Sequence, residues 1–312
     1  MELVLYELHG CRRQAHSMVS RREALSSWTG DRRGVVQMIR SAILLSLIYL
    51  IVPSATASAL SVPLWPEGRI SGFNAGQTVP SLEVVLPGDR TNDALLIIAP
   101  GGSYMKWCEW EGKCVAYFNK RGMATALLKY RTPRPLGAAK HISAWQDAQR
   151  AVRLCRKYSK EWNVNPERIF FMGFSAGGNL TLLAATSSQT PSYAKVDDVD
   201  DLPCHVNGAI ACYPAYVLSD CRNFDGSNRA KGNDLGLLMD PIFKFDTKTP
   251  PMCFLHGDAD AHSPMGSVRA YHKLRTMGIP AELHVFSERK HADLPRGTWQ
   301  ELVWTWIERN RK

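Results

Sequence analysis

The sequence lacks the features that mark zinc-binding, membrane-spanning and nucleic-acid-binding proteins. None of its eight cysteines stands in the C-x-x-C spacing of zinc sites. The apolar stretch from Ala42 to Val52 has eleven residues, well short of the ~20 that span a bilayer as a helix. The net charge of +9 is spread along the chain, without a basic stripe that alternates with aromatics. We therefore expect no metal, no cofactor, no nucleic-acid partner and no stable membrane insertion.

What is present suits a folded globular protein, because 45% of the 312 residues are hydrophobic and 21% are charged. Residues 1–37 show no apolar periodicity and are interpreted as an unstructured extension or a mis-assigned start. From Met38 to Ala59, a positive start, a short apolar run and a final Ala-Ser-Ala indicate a signal peptide. An uncleaved membrane anchor is the alternative. The sequence thus predicts a secreted or periplasmic protein whose folded domain spans residues 60–312.

Cysteine pairing depends on that compartment, because disulfides form in oxidising environments. The loop candidates are Cys108 with Cys114 and Cys204 with Cys221. Three further cysteines in apolar helix or strand runs are predicted to be small buried hydrophobes instead: Cys155, Cys212 and Cys253.

Strand and helix patterns alternate along the folded domain. Continuous apolar runs such as Ala94 to Ala99 indicate strands buried on both faces. From Ile142 to Tyr158 the apolar residues recur at intervals of three and four, as in an amphipathic helix. This alternation predicts an α/β fold with a mostly parallel central sheet and helices on both faces. Leu82 to Leu86 is predicted as an edge strand, and the long mixed segment 217–250 as a lid.

The most informative stretch runs from Arg168 to Leu180, where a β-prone run ends in Gly-x-Ser-x-Gly and a helical segment follows. Gly173 and Gly177 leave room for a strained turn that lifts the hydroxyl of Ser175 clear of the sheet edge. The N-terminal end of the following helix points free N–H groups at the same place. We therefore predict that Ser175 is a nucleophile. The alternative is a Gly-rich turn that only packs a helix on the sheet.

Ligands of such sheets bind beyond the carboxyl ends of the strands, so the residues after each strand are candidates. Pro100-Gly101-Gly102-Ser103 follows the strand at Ala94 to Ala99, and its small residues expose backbone N–H groups. Fixed N–H donors stabilise the oxyanion that acyl transfer creates. The predicted donors are the N–H groups of Gly102, Ser103 and Ala176, and the alternative is a turn without a ligand.

Two later strands are followed by an acid and by a histidine. The acids after the strand at Met252 to His256 are Asp258 and Asp260, and either can orient an imidazole. His291 lies in a polar loop after the strand at Leu283 to Phe286 and is the predicted proton carrier. His256, Asp258, Asp260 and His262 also suit a metal. We prefer the acid reading, because no further ligands cluster nearby in the sequence and a serine nucleophile needs no metal.

From about Leu82 onward, these motifs resemble α/β-hydrolases of the carboxylesterase type, closest to acetyl-xylan-esterase-like and feruloyl-esterase-like enzymes. The matching segments are Pro100-Gly101-Gly102-Ser103-Tyr104, Tyr130-Arg131, Gly173 to Asn179, Tyr213-Pro214 and His256 to Asp260. The order serine, acid, histidine is that of the fold. The family pattern His-Gly-x-x-Asp aligns its acid with Asp260, which we therefore prefer over Asp258. The chain departs from the family at Ser103 for glycine, Ser263 for valine and Ala292 for glycine.

The resemblance implies a secreted serine esterase of EC 3.1.1 type that hydrolyses short acyl, acetyl-type esters, with polysaccharide as the expected carrier. Ser175, His291 and Asp260 would form its triad and an acyl-enzyme intermediate. Tyr104, Trp107 and Trp110 follow the oxyanion loop and are candidates to contact the sugar, or to serve in packing. Two alternatives remain: a serine peptidase of the prolyl-peptidase type, and a carbohydrate-binding protein that kept the fold without catalysis.

Overall fold

The computed structural model describes residues 58–218 and 238–311, and these contain one eight-stranded sheet. Its order is β1-β2-β4-β3-β5-β6-β7-β8. β1 and β2 run antiparallel to their neighbours, and every pairing from β4 through β8 is parallel. The strands are β1 (Ser58–Pro63), β2 (Ser81–Leu86), β3 (Leu95–Ala99), β4 (Ala124–Lys129), β5 (Ile169–Phe174), β6 (Gly208–Cys212), β7 (Met252–Gly257) and β8 (Ala281–Phe286).

Helices cover both faces of this sheet, so the predicted fold class is confirmed. The four central parallel strands, β3, β5, β6 and β7, are buried at every position, as their continuous apolar runs predicted. One face packs against α3, α4 and α5, and the other against α2 and α6. The helices are α1 (Glu109–Gly112), α2 (Val115–Asn119), α3 (Ile142–Lys157), α4 (Ala176–Thr186), α5 (Met265–Thr276) and α6 (Thr298–Asn310).

The prediction of an edge strand at Leu82 to Leu86 is wrong. β1 pairs along the whole outer side of β2, from Ser58 opposite Leu86 to Pro63 opposite Ser81. The exposed β1 is therefore the edge, and Leu82 and Val84 of β2 are buried. The first two residues of β1, Ser58 and Ala59, fall within the stretch predicted as a signal peptide.

Several predicted boundaries fall outside the described residues. The extension 1–37 and nearly all of the signal peptide 38–59 lie there, as does the middle of the proposed lid at 217–250. The described ends of the lid segment meet, because Leu218 forms a β-bridge with Met239 and the N–H of Asp240 donates to the carbonyl of Val217 at 2.9 Å. Within the described ranges, no helix combines the length and apolarity needed to cross a membrane.

The described cysteines are free thiols. Cys108 and Cys114 begin two successive short helices and are both free, so this candidate pair does not form a disulfide in the structure. The thiol of Cys204 donates to the carbonyl of Ser188, and its proposed partner Cys221 lies outside the described residues. Three cysteines are buried in the core as predicted: Cys155, Cys212 and Cys253.

Candidate active site

Ser175 lies on a strained turn between β5 and α4. Its φ of 52° and ψ of −114° place it in a region that non-glycine residues rarely adopt. The turn leaves no room for a side chain two residues before or two residues after Ser175. A Cβ at Gly173 would lie 2.1 Å from the carbonyl oxygen of Gly177, and a Cβ at Gly177 would lie 2.1 Å from that of Ala99. The two glycines therefore let the strand, turn and helix approach closely enough to present the serine.

The structure brings Ser175, His291 and Asp260 into one hydrogen-bonded chain. The Nε2 of His291 lies 2.8 Å from the Oγ of Ser175, and its Nδ1 lies 2.8 and 3.0 Å from the two oxygens of Asp260. An ionised carboxylate can only accept, so Nδ1 carries the proton and Nε2 can accept one from the serine. The arrangement can transfer the serine proton to the imidazole while the carboxylate balances the resulting charge.

Asp260 rather than Asp258 occupies the acid position. The side chain of Asp260 is fully buried, whereas Asp258 is exposed and only its backbone N–H is used, in a hydrogen bond to Phe286. His256 also approaches Asp260, with its Nε2 3.1 Å from the carboxylate oxygen that His291 contacts at 2.8 Å. The N–H of His262 donates to the other oxygen at 2.7 Å. Burial alone would raise the pKa of Asp260, but the hydrogen bonds from His256, His291 and the His262 backbone lower it well below its usual value.

The three predicted oxyanion donors have no hydrogen-bond acceptor among the described residues. Gly102 and Ser103 adopt positive φ angles of 117° and 59°, and Ala176 begins α4. Their N–H groups donate to no acceptor in the part of the chain that the structure describes, whereas the carbonyl of Gly102 accepts from the N–H of Met105 at 2.9 Å. The turn thus uses its carbonyl internally and leaves its N–H groups available to a ligand.

The base of this loop is tied to the core by the end of β4. The hydroxyl of Tyr130 donates to the carbonyl of Pro100 at 2.7 Å. The next residue, Arg131, forms a fully buried ion pair with Asp147 of α3, and the indole N–H of Trp65 also donates to that carboxylate at 2.8 Å. The Tyr130-Arg131 motif therefore has a structural function, since it fixes the loop that carries Gly102 and Ser103.

Two of the three aromatic residues predicted to contact substrate are used otherwise. Tyr104 is fully buried and its hydroxyl donates to Asn179 at 2.7 Å, so the prediction of a substrate contact is wrong for it. Its φ is 61°, and its ring packs in the core against the rings of Tyr130 and Tyr216. Trp107 is partly buried, and its indole N–H donates to the carbonyl of Tyr130. Trp110 remains 53% exposed.

A cavity of about 730 Å³ lies beside the histidine loop. Aromatic residues supply much of its wall, and Ala292, the neighbour of His291, lines it as well. Charged side chains that include Lys113, Asp293 and Arg296 also line it. Trp110 is the one predicted sugar-binding residue that reaches this cavity.

Sequence reasoning missed two residues next to the predicted triad. Glu111 is buried and accepts hydrogen bonds from the Gly101 N–H and the Tyr213 hydroxyl. The ring of Tyr213 meets the imidazole of His291 edge-on, with 5.2 Å between ring centres. Tyr213 was visible only as half of the Tyr-Pro motif. Glu111 gave no signal, because its approach to Gly101 depends on how the intervening loop folds.

The metal alternative at His256, Asp258, Asp260 and His262 finds no support in the geometry. Both ring nitrogens of His256 are engaged, by Ser267 at 2.8 Å and by the carbonyl of His262 at 2.9 Å. Elsewhere in the described residues, three side chains could offer metal ligands, because one ligand atom from each lies within 4.8 Å of the others: Cys253, Glu282 and His284. Glu282 is already paired with Arg309 there, and burial raises the pKa of the Cys253 thiol, which disfavours the thiolate that a metal needs.

This strand order is the architecture of the α/β-hydrolases. The serine follows the central strand β5, and the histidine follows the last strand, β8. The BD-FAE family model matches residues 82–274, well over half of the chain. The chain therefore belongs to the BD-FAE family, within the esterase-like α/β-hydrolases, as the motifs predicted.

Named relatives agree with this membership. An acetyl ester-xyloside bifunctional hydrolase from Caldicellulosiruptor lactoaceticus has a similar structure, with a TM-score of 0.65 and 30% identity over 83% of this chain and 98% of that one. Endo-1,4-beta-xylanase B of Butyrivibrio fibrisolvens is 26% identical over 239 residues, which cover 73% of this chain and 37% of the xylanase. Acetylxylan esterase of Xylanibacter ruminicola is 26% identical over 238 residues, covering 69% and 43%. The chain thus spans less than half the length of the two curated relatives.

Proposed function

We propose that the chain is a serine esterase that hydrolyses short acyl esters, of the acetyl type, carried on polysaccharide. One observation carries the proposal: the imidazole of His291 lies within hydrogen-bond distance of both the Ser175 hydroxyl and the Asp260 carboxylate. The substrate class rests on the relatives, since two of those named above are an acetylxylan esterase and an acetyl ester-xyloside hydrolase.

The proposed reaction has two halves, and in each of them His291 first accepts a proton and then returns it. His291 accepts the Ser175 proton through Nε2 as Oγ attacks the ester carbonyl, and Asp260 stabilises the imidazolium. The N–H groups of Gly102, Ser103 and Ala176 bind the oxyanion, and one such donor is worth about 10²–10³ in rate. The imidazolium then protonates the departing alcohol. In the second half, His291 activates water to release the acid and restore Ser175.

Replacing the nucleophile tests the proposal directly. We expect Ser175→Ala to lower kcat on p-nitrophenyl acetate by about 10⁴-fold or more, because no other group can form the acyl-enzyme. A fluorophosphonate probe should label the wild-type protein at Ser175, as found by peptide mass spectrometry, and should not label the variant. Ser61→Ala, on the exposed strand β1, is the matched control and should keep full activity and labelling.

Other outcomes would redirect the proposal. Retained esterase activity in Ser175→Ala contradicts it. Cleavage of aminoacyl-proline amides without cleavage of acetate esters would favour the peptidase. Binding of xylan with neither hydrolysis nor labelling would favour the non-catalytic carbohydrate-binding protein.

Substrate class needs its own measurement. Initial rates on p-nitrophenyl acetate, butyrate and octanoate, with acetate release from acetylated xylan, compare the acyl and carrier preferences. The proposal expects kcat/KM to fall as the acyl chain lengthens and expects acetate release from the polysaccharide. A preference for octanoate, or activity on small esters alone, would contradict the acetyl-polysaccharide assignment while leaving the serine esterase intact.

A further inference from the structure

Glu111 is a buried carboxylate beside the predicted triad that the proposed reaction does not use. Glu111 is 2% exposed and lies on α1, shortly after the oxyanion loop. The described residues place no Lys or Arg in an ion pair with it. The proximity of His291 lowers the pKa of Glu111 electrostatically. A buried acid without a cationic partner is costly, so its presence next to a proton-carrying histidine points to a functional use.

The first contact of Glu111 holds the oxyanion loop at its start. Its Oε2 accepts the Gly101 N–H at 2.5 Å, while the Gly101 carbonyl accepts from the N–H of Cys108 at 3.1 Å. A Cβ on Gly101 would lie 2.9 Å from the Cβ of Ser175 and 3.0 Å from the Glu111 carboxylate. Gly101 is therefore enclosed between the nucleophile and Glu111, and the donors Gly102 and Ser103 follow it directly.

The second contact reaches the histidine. Oε1 of Glu111 accepts the hydroxyl proton of Tyr213 at 3.0 Å. Tyr213 is itself fixed, since its N–H donates to Leu255 at 2.6 Å and its side chain is buried. Its ring meets His291 edge-on at 5.2 Å. The Glu111 carboxylate thus holds two parts of the site in place. These are the loop that carries the predicted oxyanion donors and the side chain of Tyr213, which packs against the His291 imidazole.

The charge of Glu111 acts in the same direction as its contacts. Burial raises the pKa of Glu111, and the hydrogen bonds from Gly101 and Tyr213 and the proximity of His291 partly offset this. In the proposed reaction, positive charge develops on the His291 imidazole as the serine attacks. A negative charge at Glu111 is therefore attracted more strongly to the transition state than to the resting enzyme.

We propose that Glu111 is a positioning residue of this active site, which aligns the oxyanion donors through Gly101 and stabilises the His291 imidazolium together with Tyr213. The inference rests on the serine esterase function proposed above. It assigns Glu111 no contact with substrate, so KM should depend on it little.

The test compares Glu111→Gln, which keeps the shape and an acceptor but removes the charge, with Glu109→Gln, the same change at an exposed position of the same helix. We expect Glu111→Gln to lower kcat about tenfold with KM within about twofold, and to move the acid limb of the kcat/KM profile to lower pH. It should also weaken binding of a trifluoromethyl ketone, whose serine adduct carries an oxyanion, by a similar factor. Glu109→Gln should match the wild type in all three.

Glu111→Ala and Tyr213→Phe separate the two contacts. The alanine variant loses both and should fall about 100-fold in kcat, while Tyr213→Phe keeps the ring and should lose only a few-fold. If Glu111→Ala fails to fold, Glu111→Gln alone decides. Wild-type values of kcat, pH profile and inhibitor affinity in Glu111→Gln would overturn the inference, as would a loss confined to thermal stability or KM. A wild-type protein that neither hydrolyses esters nor labels at Ser175 contradicts the esterase itself, and overturns this inference with it.

Discussion

The carboxylate of Asp260 is shared by two imidazoles, and this sharing orients both rings. His256 must carry its proton on Nε2, because the His262 carbonyl at 2.9 Å can only accept. The Ser267 hydroxyl can then donate to Nδ1. One oxygen of Asp260 therefore lies within hydrogen-bond distance of both imidazoles, at 3.1 Å from His256 and 2.8 Å from His291, and the other accepts from the His262 N–H. A carboxylate held at both of its oxygens keeps the His291 imidazole in one orientation.

Asp260 should also make folding stability depend on pH. Its pKa is lowered from an ordinary 3.8 in the folded protein, so its ionised form contributes stability above that value, and the contribution is lost as the pH falls below about 4. We expect Asp260→Asn to reduce the unfolding free energy at pH 7 by on the order of 2 kcal/mol, and the gap to the wild type to close with acidification. Urea melts between pH 7 and pH 3 measure this.

The control for that series is Asp258→Asn, two residues away and exposed. It should leave both stability and its pH dependence within about 0.5 kcal/mol of the wild type. A gap between Asp260→Asn and wild type that stays constant down to pH 3 would show that the carboxylate contributes through shape rather than charge.

The sequence was informative about residues whose chemistry demands a local pattern. The turn at Ser175 was predictable because only glycine fits two residues before and two residues after the serine. The choice of Asp260 over Asp258 followed from the spacing of the family motif. Tyr104 and Glu111 were not predictable, since inward or outward placement of a side chain after a Gly-rich loop depends on backbone angles that no short motif specifies.

At the scale of the elements, the ion pair between Arg131, just after β4, and Asp147 of α3 supports the loop that carries Gly102 and Ser103. Arg131 and Asp147 have no exposed side-chain surface, and Arg131 also donates to Gln146 at 2.8 Å and to the carbonyl of Ser143 at 3.0 Å. Both charged groups have hydrogen-bond partners, so neither charge is left unpaired while both residues are present. Removing one member leaves the other charged in a dry interior.

We therefore expect Asp147→Ala to destabilise the protein by about 3–5 kcal/mol, measured by thermal or urea unfolding. The comparison is Asp93→Ala, which breaks a pair with Arg168 whose side chains are 45% and 30% exposed. That loss should be at most about 1 kcal/mol, because water screens the charges. Equal effects of the two substitutions would contradict the buried, unscreened character of the Arg131 pair.

Element prediction succeeded where burial imposes a pattern and failed where it does not. The central strands are buried on both faces, and their continuous apolar runs identified them. β1 is exposed along most of its length and carries no such run, so its pairing with β2 escaped notice. The acidic loop after α4 likewise carries no apolar run, and no local pattern indicates that its Asp197 and Asp200 pair with the buried guanidinium of Arg150.

At the scale of the whole molecule, we propose that the protein is exported, on the strength of the leader pattern at residues 38–59. Fusing residues 38–62 to alkaline phosphatase lacking its own signal should give phosphatase activity outside the cytoplasm of a bacterial host. Leu45→Arg interrupts the apolar run and should abolish that activity while the fusion is still made. Equal activity of the two fusions, or a fusion that stays membrane-bound and uncleaved, would contradict the cleaved signal peptide.

The register of β1 bears on whether the proposed signal peptide is cleaved before or after the sheet folds. Ser58 and Ala59 already pair with Leu86 and Val85, so a peptidase that cuts near Ala59 would have to act on residues that belong to the finished sheet. A chain that folded first would bury its own scissile bond in a ladder of backbone hydrogen bonds and resist trimming. A chain trimmed first would close its sheet with a shortened first strand.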